Sequence, residues 1–381
     1  MWKIPLSDLT FGPEEEEAAR SVLASGWLTM GERTAEFERL LGEALGAPRV
    51  LAVTNGTAAL HLAYAALGLG PGDEVICPSL TFVATANAAL LCGATVVLAD
   101  VAGEHDLGLD PADVARKITP RTRAIAVVHY AGYPCDMDAI RALAAERGLA
   151  VVEDAAHAPL ARWRGQALGT LGDVGCFSFF SNKNLAVGEG GAVVAGDDAL
   201  LARMRLLRSH GMTTLTLERH KGHAFSYDVV EAGMNYRIDE LRSAIGVVQL
   251  GRLAEGNRRR RELAARYHAE LAAIPGVVVP YRDFYERGVG EASHHIMPVL
   301  LPEDAPREAV MTRMKAQGIQ TSVHYPPIHR FSHHGASDRV RRDGLARTDA
   351  IAPRQLTLPL HPRMQDADVG AVCEALRASL G

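Results

Sequence analysis

One lysine carries the most suggestive chemistry in this chain. Lys183 follows a strand-like run, Cys176 to Phe180, and precedes a glycine-rich turn and a second apolar run, Ala192-Val193-Val194. Lysine is strongly hydrated and is seldom set between apolar strands without a partner or a task. Desolvation there lowers its pKa, and the neutral amine is a nucleophile toward carbonyls. Alone, the stretch reads equally well as a surface lysine at a hairpin tip. Asp154 ends another apolar run and is either a helix N-cap or a buried carboxylate in need of a cation. A protonated pyridine nitrogen is such a cation, and an acid beside it keeps the ring an electron sink. His157 would lie beside the same ring, although a lone histidine is more often simply packed. Gly56-Thr57 opens a helix after a strand, where free N–H groups and the helix dipole favour a phosphate. A plain helix start is the commoner meaning of so short a motif. Ser178 could add a hydroxyl, and Phe82 either fills the core or lies flat on a ring.

These positions meet only if the elements carrying them form one sheet. Val50 to Val53, Glu74 to Cys77, Thr95 to Ala99, Ala124 to Val128 and Leu149 to Val152 read as strands. Helical spacing separates them: residues 13–25, Thr34 to Leu45, Ala58 to Leu67, Phe82 to Leu91, Pro111 to Ile118 and Asp136 to Arg147. Strands apolar on both faces, alternating with helices, predict an α/β fold with a mostly parallel sheet covered on both sides. Ligands in such sheets sit at the carboxyl ends of the strands. Thr54 to Thr57, Phe82, Asp154 and Lys183 all fall at or just past such ends. A helix from Asp197 to His210 and a largely helical stretch over 237–273 follow. From about Gly276 shorter strands (Val277 to Val279, Ile296 to Leu301, Thr321 to Val323) alternate with helices (Arg307 to Gln317, Ala367 to Leu380). The pattern predicts a large domain over 1–250 and a smaller α+β domain over 251–381.

Composition bounds the function. The 381 residues are 48% hydrophobic and 22% charged, an ordinary globular balance. The net charge of −5 offers no basic field for nucleic acid. Five scattered cysteines read as buried hydrophobes in a reducing cytoplasm, and no segment has the length and apolarity of a membrane span. His329 and His333 have helical i, i+4 spacing, but Pro326 and Pro327 break the local helix and no acid or cysteine completes a metal set. No metal is expected.

A nucleophilic lysine, a pyridinium partner, a phosphate seat and a stacking aromatic together match pyridoxal phosphate (PLP). Several motifs in order point the same way: Ser25-Gly-Trp-Leu-Thr-Met-Gly31, Thr54-Asn-Gly-Thr-Ala-Ala-Leu60, Thr81-Phe-Val-Ala-Thr-Ala-Asn87, Glu153-Asp-Ala-Ala-His-Ala158, the Phe177 to Gly191 stretch, Gly233-Met-Asn-Tyr-Arg237 and His324-Tyr-Pro-Pro-Ile-His329. Nearly end to end, the chain resembles the sugar aminotransferases of the DegT/DnrJ/EryC1/StrS family, which have the PLP-transferase fold of type I.

The resemblance implies roles at the matching positions. Lys183 would form the Schiff base with the cofactor aldehyde, and Asp154 would pair with the pyridine nitrogen. His157, where many members have glutamine, would lie near the phenolic oxygen, and Phe82 would stack on the ring. Gly56, Thr57 and Ser178 would hold the phosphate. Asn235 would reach the phosphate of the neighbouring subunit, making a homodimer. Thr29, Tyr325 and His329 would line the sugar side of the cleft. Relatives that dehydrate sugars carry histidine in place of the lysine, so Lys183 favours amino transfer, in which a freed amine also shuttles a proton. The implied reaction moves an amino group from L-glutamate or glutamine to a nucleotide-linked keto-deoxyhexose, at the 4-keto or alternatively the 3-keto position. Arg and His residues of the 210–237 region could meet its diphosphate. A cyclitol (inosose) aminotransferase and a PLP-binding protein without turnover are the alternatives. A Rossmann-type oxidoreductase fits less well, because Gly68-Leu-Gly-Pro-Gly72 follows a helix rather than a strand.

Overall fold

The computed structural model describes residues 2–213 and 226–381. Its main sheet has eight strands in the spatial order Val50–Val53, Gly191–Ala195, Val174–Ser178, Ala150–Asp154, Thr122–Val128, Glu74–Pro78, Thr95–Ala99 and Val340–Arg341. Neighbours run parallel, except that Gly191–Ala195 is antiparallel to both strands beside it.

The strands are apolar throughout because both faces are buried. Along Val50–Val53, Val50 and Ala52 enter one core while Leu51 and Val53 enter the other. Ile125 and Val127 likewise oppose Ala124 and Ala126. That period-two split is what a two-sided sheet requires. Phe37, Leu41 and Ile140, from the helices Glu32–Leu45 and Met137–Arg147, cover one face. Leu60, Ala88 and Met204, from the helices Gly56–Ala66, Ala84–Leu91 and Asp198–Arg208, cover the other. Side-chain caps set the helix starts. Asn55, Asp136, Asp197 and Asp239 each accept the N–H three residues on.

A third core lies outside the sheet and gathers Ile4, Leu263, Tyr267, Leu271, Val299, Met314, Leu358 and Leu376. The antiparallel pair Met297–Leu300 and Gln355–Leu358 lies within it, with the helices Arg307–Ala316 and Asp366–Leu380 packed alongside. The strands expected over 277–279 and 321–323 are reduced to single bridges, Val278 to Leu300 and Ser322 to Thr357. Pro280 has no N–H to extend the first of these. The helix Glu240–Leu271 passes without a break through residue 250, carrying Leu253 in the first core and Leu263 in the third.

Candidate active site

The strands Val50–Val53, Ala150–Asp154 and Val174–Ser178 deliver their carboxyl ends to one edge of the sheet. Asp154 is the last residue of its strand and is buried. Its Oδ2 accepts from the Thr85 hydroxyl at 2.7 Å and its Oδ1 from the Ala156 N–H at 3.2 Å. Burial raises the carboxyl's pKa, and the Thr85 and Ala156 bonds and the charge of Lys183 oppose the rise only in part. The acid is therefore one that a nearby cation would strongly favour.

Glu153, on the other face of the same strand, is spoken for. It accepts from His129 Nε2 at 2.9 Å and from the N–H groups of Gly169, Leu171 and Gly172. His129 Nδ1 accepts the Cys135 N–H, so Nε2 bears the proton. Burial alone would raise the Glu153 pKa, but the bonds from His129 and these N–H groups hold it below the ordinary value.

Lys183 sits in the hairpin between Val174–Ser178 and Gly191–Ala195, its N–H bonded to the Phe180 carbonyl at 2.8 Å. Burial brings its pKa down to about 8, against an upward pull from Asp154. The first intrahelical bond of Gly56–Ala66 is Ala59 N–H to Asn55, which leaves the Gly56 and Thr57 N–H groups outside the helix ladder. A Cβ on Gly56 would lie 2.8 Å from the Ser178 Cβ, so glycine is needed to bring that helix start against the Ser178 hydroxyl. An electron-sink ring bearing an aldehyde, a pyridine nitrogen and a phosphate finds matching groups here: an amine of lowered pKa, a buried acid, and a cradle that one added Cβ would fill.

A family model, the DegT/DnrJ/EryC1/StrS aminotransferase family, matches residues 10–377. The chain belongs to this family. It is 38% identical over 379 residues to the spore coat polysaccharide biosynthesis protein SpsC of Bacillus subtilis, covering 98% of this chain and 96% of that one. Its structure is similar to that of the aminotransferase TlmJ from Streptoalloteichus hindustanus, with a TM-score of 0.90 and 37% identity over 99% and 98% of the two chains. It is also similar to Spr1654 from Streptococcus pneumoniae, described as a sugar aminotransferase and solved in its PMP form, with a TM-score of 0.91 and 26% identity over 99% of each chain. The fold is the one these PLP-dependent aminotransferases share, and PLP is the family's cofactor.

In this family member the ring of Phe82 is 52% exposed and lies 5.6 Å from that of Tyr325. His157 is pinned at both nitrogens. Its Nδ1 accepts the Ala131 N–H at 3.3 Å, so Nε2 carries the proton toward the Tyr325 hydroxyl at 2.9 Å. Burial, then the charge of Lys183, holds this imidazole neutral. The His324 carbonyl, gripped by Tyr130 and Gln355, fixes the segment that presents Tyr325.

His329 is placed differently. Its Nδ1 meets the Ser79 hydroxyl at 2.7 Å and its Nε2 meets Asp349 at 2.9 Å, so neither nitrogen is open to a ligand. Ser79 is fully buried, which makes that serine–histidine–aspartate row structural. Thr29 and Asn235 are exposed, and no hydrogen bond joins either to the Lys183 cluster among the described residues. Thr29 sits in a loop whose end is tied by Glu240, which accepts the N–H groups of Gly31, Arg33 and Thr34. Of the 210–237 cations, Arg219, His220 and His223 lie outside the described residues.

Sequence reasoning missed Thr85, Asn184 and His295. Thr85 lies in the first turn of the helix Ala84–Leu91, and its bond to Asp154 spans 69 positions, which no local pattern announces. Asn184 donates to Asn257 and the Ser293 carbonyl and accepts from His295 Nδ1, each at 2.8 to 2.9 Å. Nothing local in the sequence announces those long-range bonds.

Proposed function

We propose that this protein transfers an amino group from L-glutamate or glutamine to a nucleotide-linked keto-deoxyhexose, at the 4-keto position. The reaction class is supported by a half-buried lysine at position 183, in the loop that follows the strand beside the one ending in the buried Asp154, with burial bringing the amine's pKa down to about 8. When bound, PLP supplies the aldehyde that takes up the amine and the ring that absorbs the electron pair. Asp154 stays ionised against the pyridine nitrogen. Lys183 would hold and move a proton at its Nζ. The N–H groups of Gly56 and Thr57 and the Ser178 hydroxyl receive the phosphate. His157, being neutral, orients Tyr325, whose hydroxyl is left free to donate toward the cleft, and Phe82 covers the ring.

The sugar assignment is supported by the names of the relatives, one in polysaccharide biosynthesis and one a sugar aminotransferase. The working unit is a homodimer. Asn235 is exposed, its backbone bridged to Ser209 and its side chain joined by no hydrogen bond to a described residue, as a side chain reaching a neighbour's phosphate would be. Phe180, Tyr227, Val229 and Val230 are exposed as well, apolar side chains that a second subunit would cover. We place the enzyme in the cytoplasm, a reading supported by five free cysteines. No helix among the described residues is long and apolar enough to cross a membrane.

The test is spectroscopic. Glutamate should bleach the visible band of the lysine-bound cofactor, and a nucleotide-linked 4-keto sugar should restore it. Restoration by an inosose but by no nucleotide sugar would overturn the substrate assignment. A band that no amino donor changes would overturn the reaction.

A further inference from the structure

A cavity of about 340 Å³ opens beside Lys183, between the Thr10 segment and one side of the helix Glu240–Leu271. Most charges on its wall are paired: Arg252 with Glu14 and Glu15, Glu255 with Arg258, and Asp8 with Arg363. Arg260 is different. It also lines the cavity and is only 4% exposed, yet its side chain makes no hydrogen bond or ion pair with any described residue, and its Nε is buried without an acceptor. Two buried imidazoles feel its charge, His295 and His361, and neither can neutralise it.

A buried cation without a counter-charge is among the least favourable things a fold can contain. What this wall lacks is an anion. One unpaired guanidinium balances one negative charge, which suits a carboxylate better than a dianionic phosphate, and the planar fork of arginine matches a carboxylate with two parallel hydrogen bonds. We propose that the cavity is a carboxylate-binding site in which Arg260 is the counter-charge, and that its occupant is the distal carboxylate of the dicarboxylic amino donor. The second half rests on the aminotransferase reading above; the first does not. Lys183 lies on the same wall, so a donor whose amine is handed over at the lysine can extend its other end into the cavity.

The experiment compares the wild-type holoenzyme with Arg260→Leu and Arg260→Lys, using 2-oxoglutarate and acetate as probes of thermal stability and glutamate in steady-state kinetics. Both anions should stabilise the wild type. The response should vanish in Arg260→Leu and survive in part in Arg260→Lys. The KM for glutamate should rise at least tenfold in Arg260→Leu while the KM for the sugar stays put. If the anion response is lost but the glutamate KM does not move, a free small carboxylate occupies the site and the donor assignment is overturned. If anion binding depends on Arg260 in an enzyme that transfers no amine, the site stands and the aminotransferase reading falls. If neither anion stabilises the wild type, or Arg260→Leu keeps the full response, there is no such site. Should Arg260→Leu not fold, the wild-type response and its weakening in Arg260→Lys decide the matter.

Discussion

Thr85 donates its hydroxyl to Asp154 across 2.7 Å, from the helix Ala84–Leu91 to the end of the neighbouring strand layer. That bond favours the ionised acid, the form that pairs with a pyridine nitrogen. Thr85→Val should weaken cofactor binding about tenfold, the worth of roughly one hydrogen bond to a charged group. Thr85→Ser should restore it. Titration of the apo-protein with PLP reads both, and an unchanged affinity in the valine variant would count against the pairing.

The depressed pKa of Lys183 gives a pH profile. Capture of the aldehyde needs the neutral amine, so the rate of PLP uptake by apo-protein should rise with pH and be half-maximal near pH 8. Asp154 pulls that pKa upward, so Asp154→Asn should move the midpoint lower. The folded pKa lies below the unfolded 10.5, and this lysine is therefore destabilising while protonated. Its contribution makes the apo-protein gain stability as pH rises from about 8 toward 10.5. A midpoint above pH 10 would contradict the desolvated amine.

Glu153 should matter to stability rather than chemistry. Glu153→Gln leaves several buried N–H groups poorly matched and should cost about 2–4 kcal/mol in urea unfolding. Its pKa is held below the ordinary 4.5, so the carboxylate's contribution is present above that value and is lost as pH falls through the lower folded pKa. The gap between wild type and variant should accordingly narrow in acid.

Gly56→Ala would set a Cβ 2.8 Å from that of Ser178. Prying the helix start from the strand end should cost about 1–3 kcal/mol, the usual penalty of an overfilled site. It should also weaken PLP binding. Because the clash is with the Ser178 Cβ, adding Ser178→Gly should recover the stability but not the affinity, which a denaturation series beside a PLP titration would show.

Much of the sheet was legible from runs such as Ala124 to Val128, whose burial on both faces leaves a nearly unbroken apolar signature. The strand Val174–Ser178 stops two residues short of the Phe180 that its apolar run suggests, since Phe179 and Phe180 lie past the last ladder pair at Ser178. The helix after Phe82 starts at Ala84, leaving Phe82 in the loop where its ring is exposed. The acid, the lysine and the glycine of the candidate site could be named because each sits at a strand end. Asn184, His295 and Arg260 could not, since what distinguishes them is a partner, or the want of one, more than a hundred positions away or in no position at all. His329 shows the converse: a motif histidine whose nitrogens are both consumed by Ser79 and Asp349, a fact only the folded chain contains.

The strand Gly191–Ala195, running against its neighbours, has a mechanical consequence. A parallel return would need a long crossover, usually a helix, arching over the sheet. The reversed strand instead lets the loop over residues 179–190 return directly, with both stems anchored in the interior of the sheet rather than at a fraying border. The amine can swing only on its own four-carbon arm, over a fixed pivot one strand from Asp154. A change in the length of this loop would move the reacting nitrogen itself.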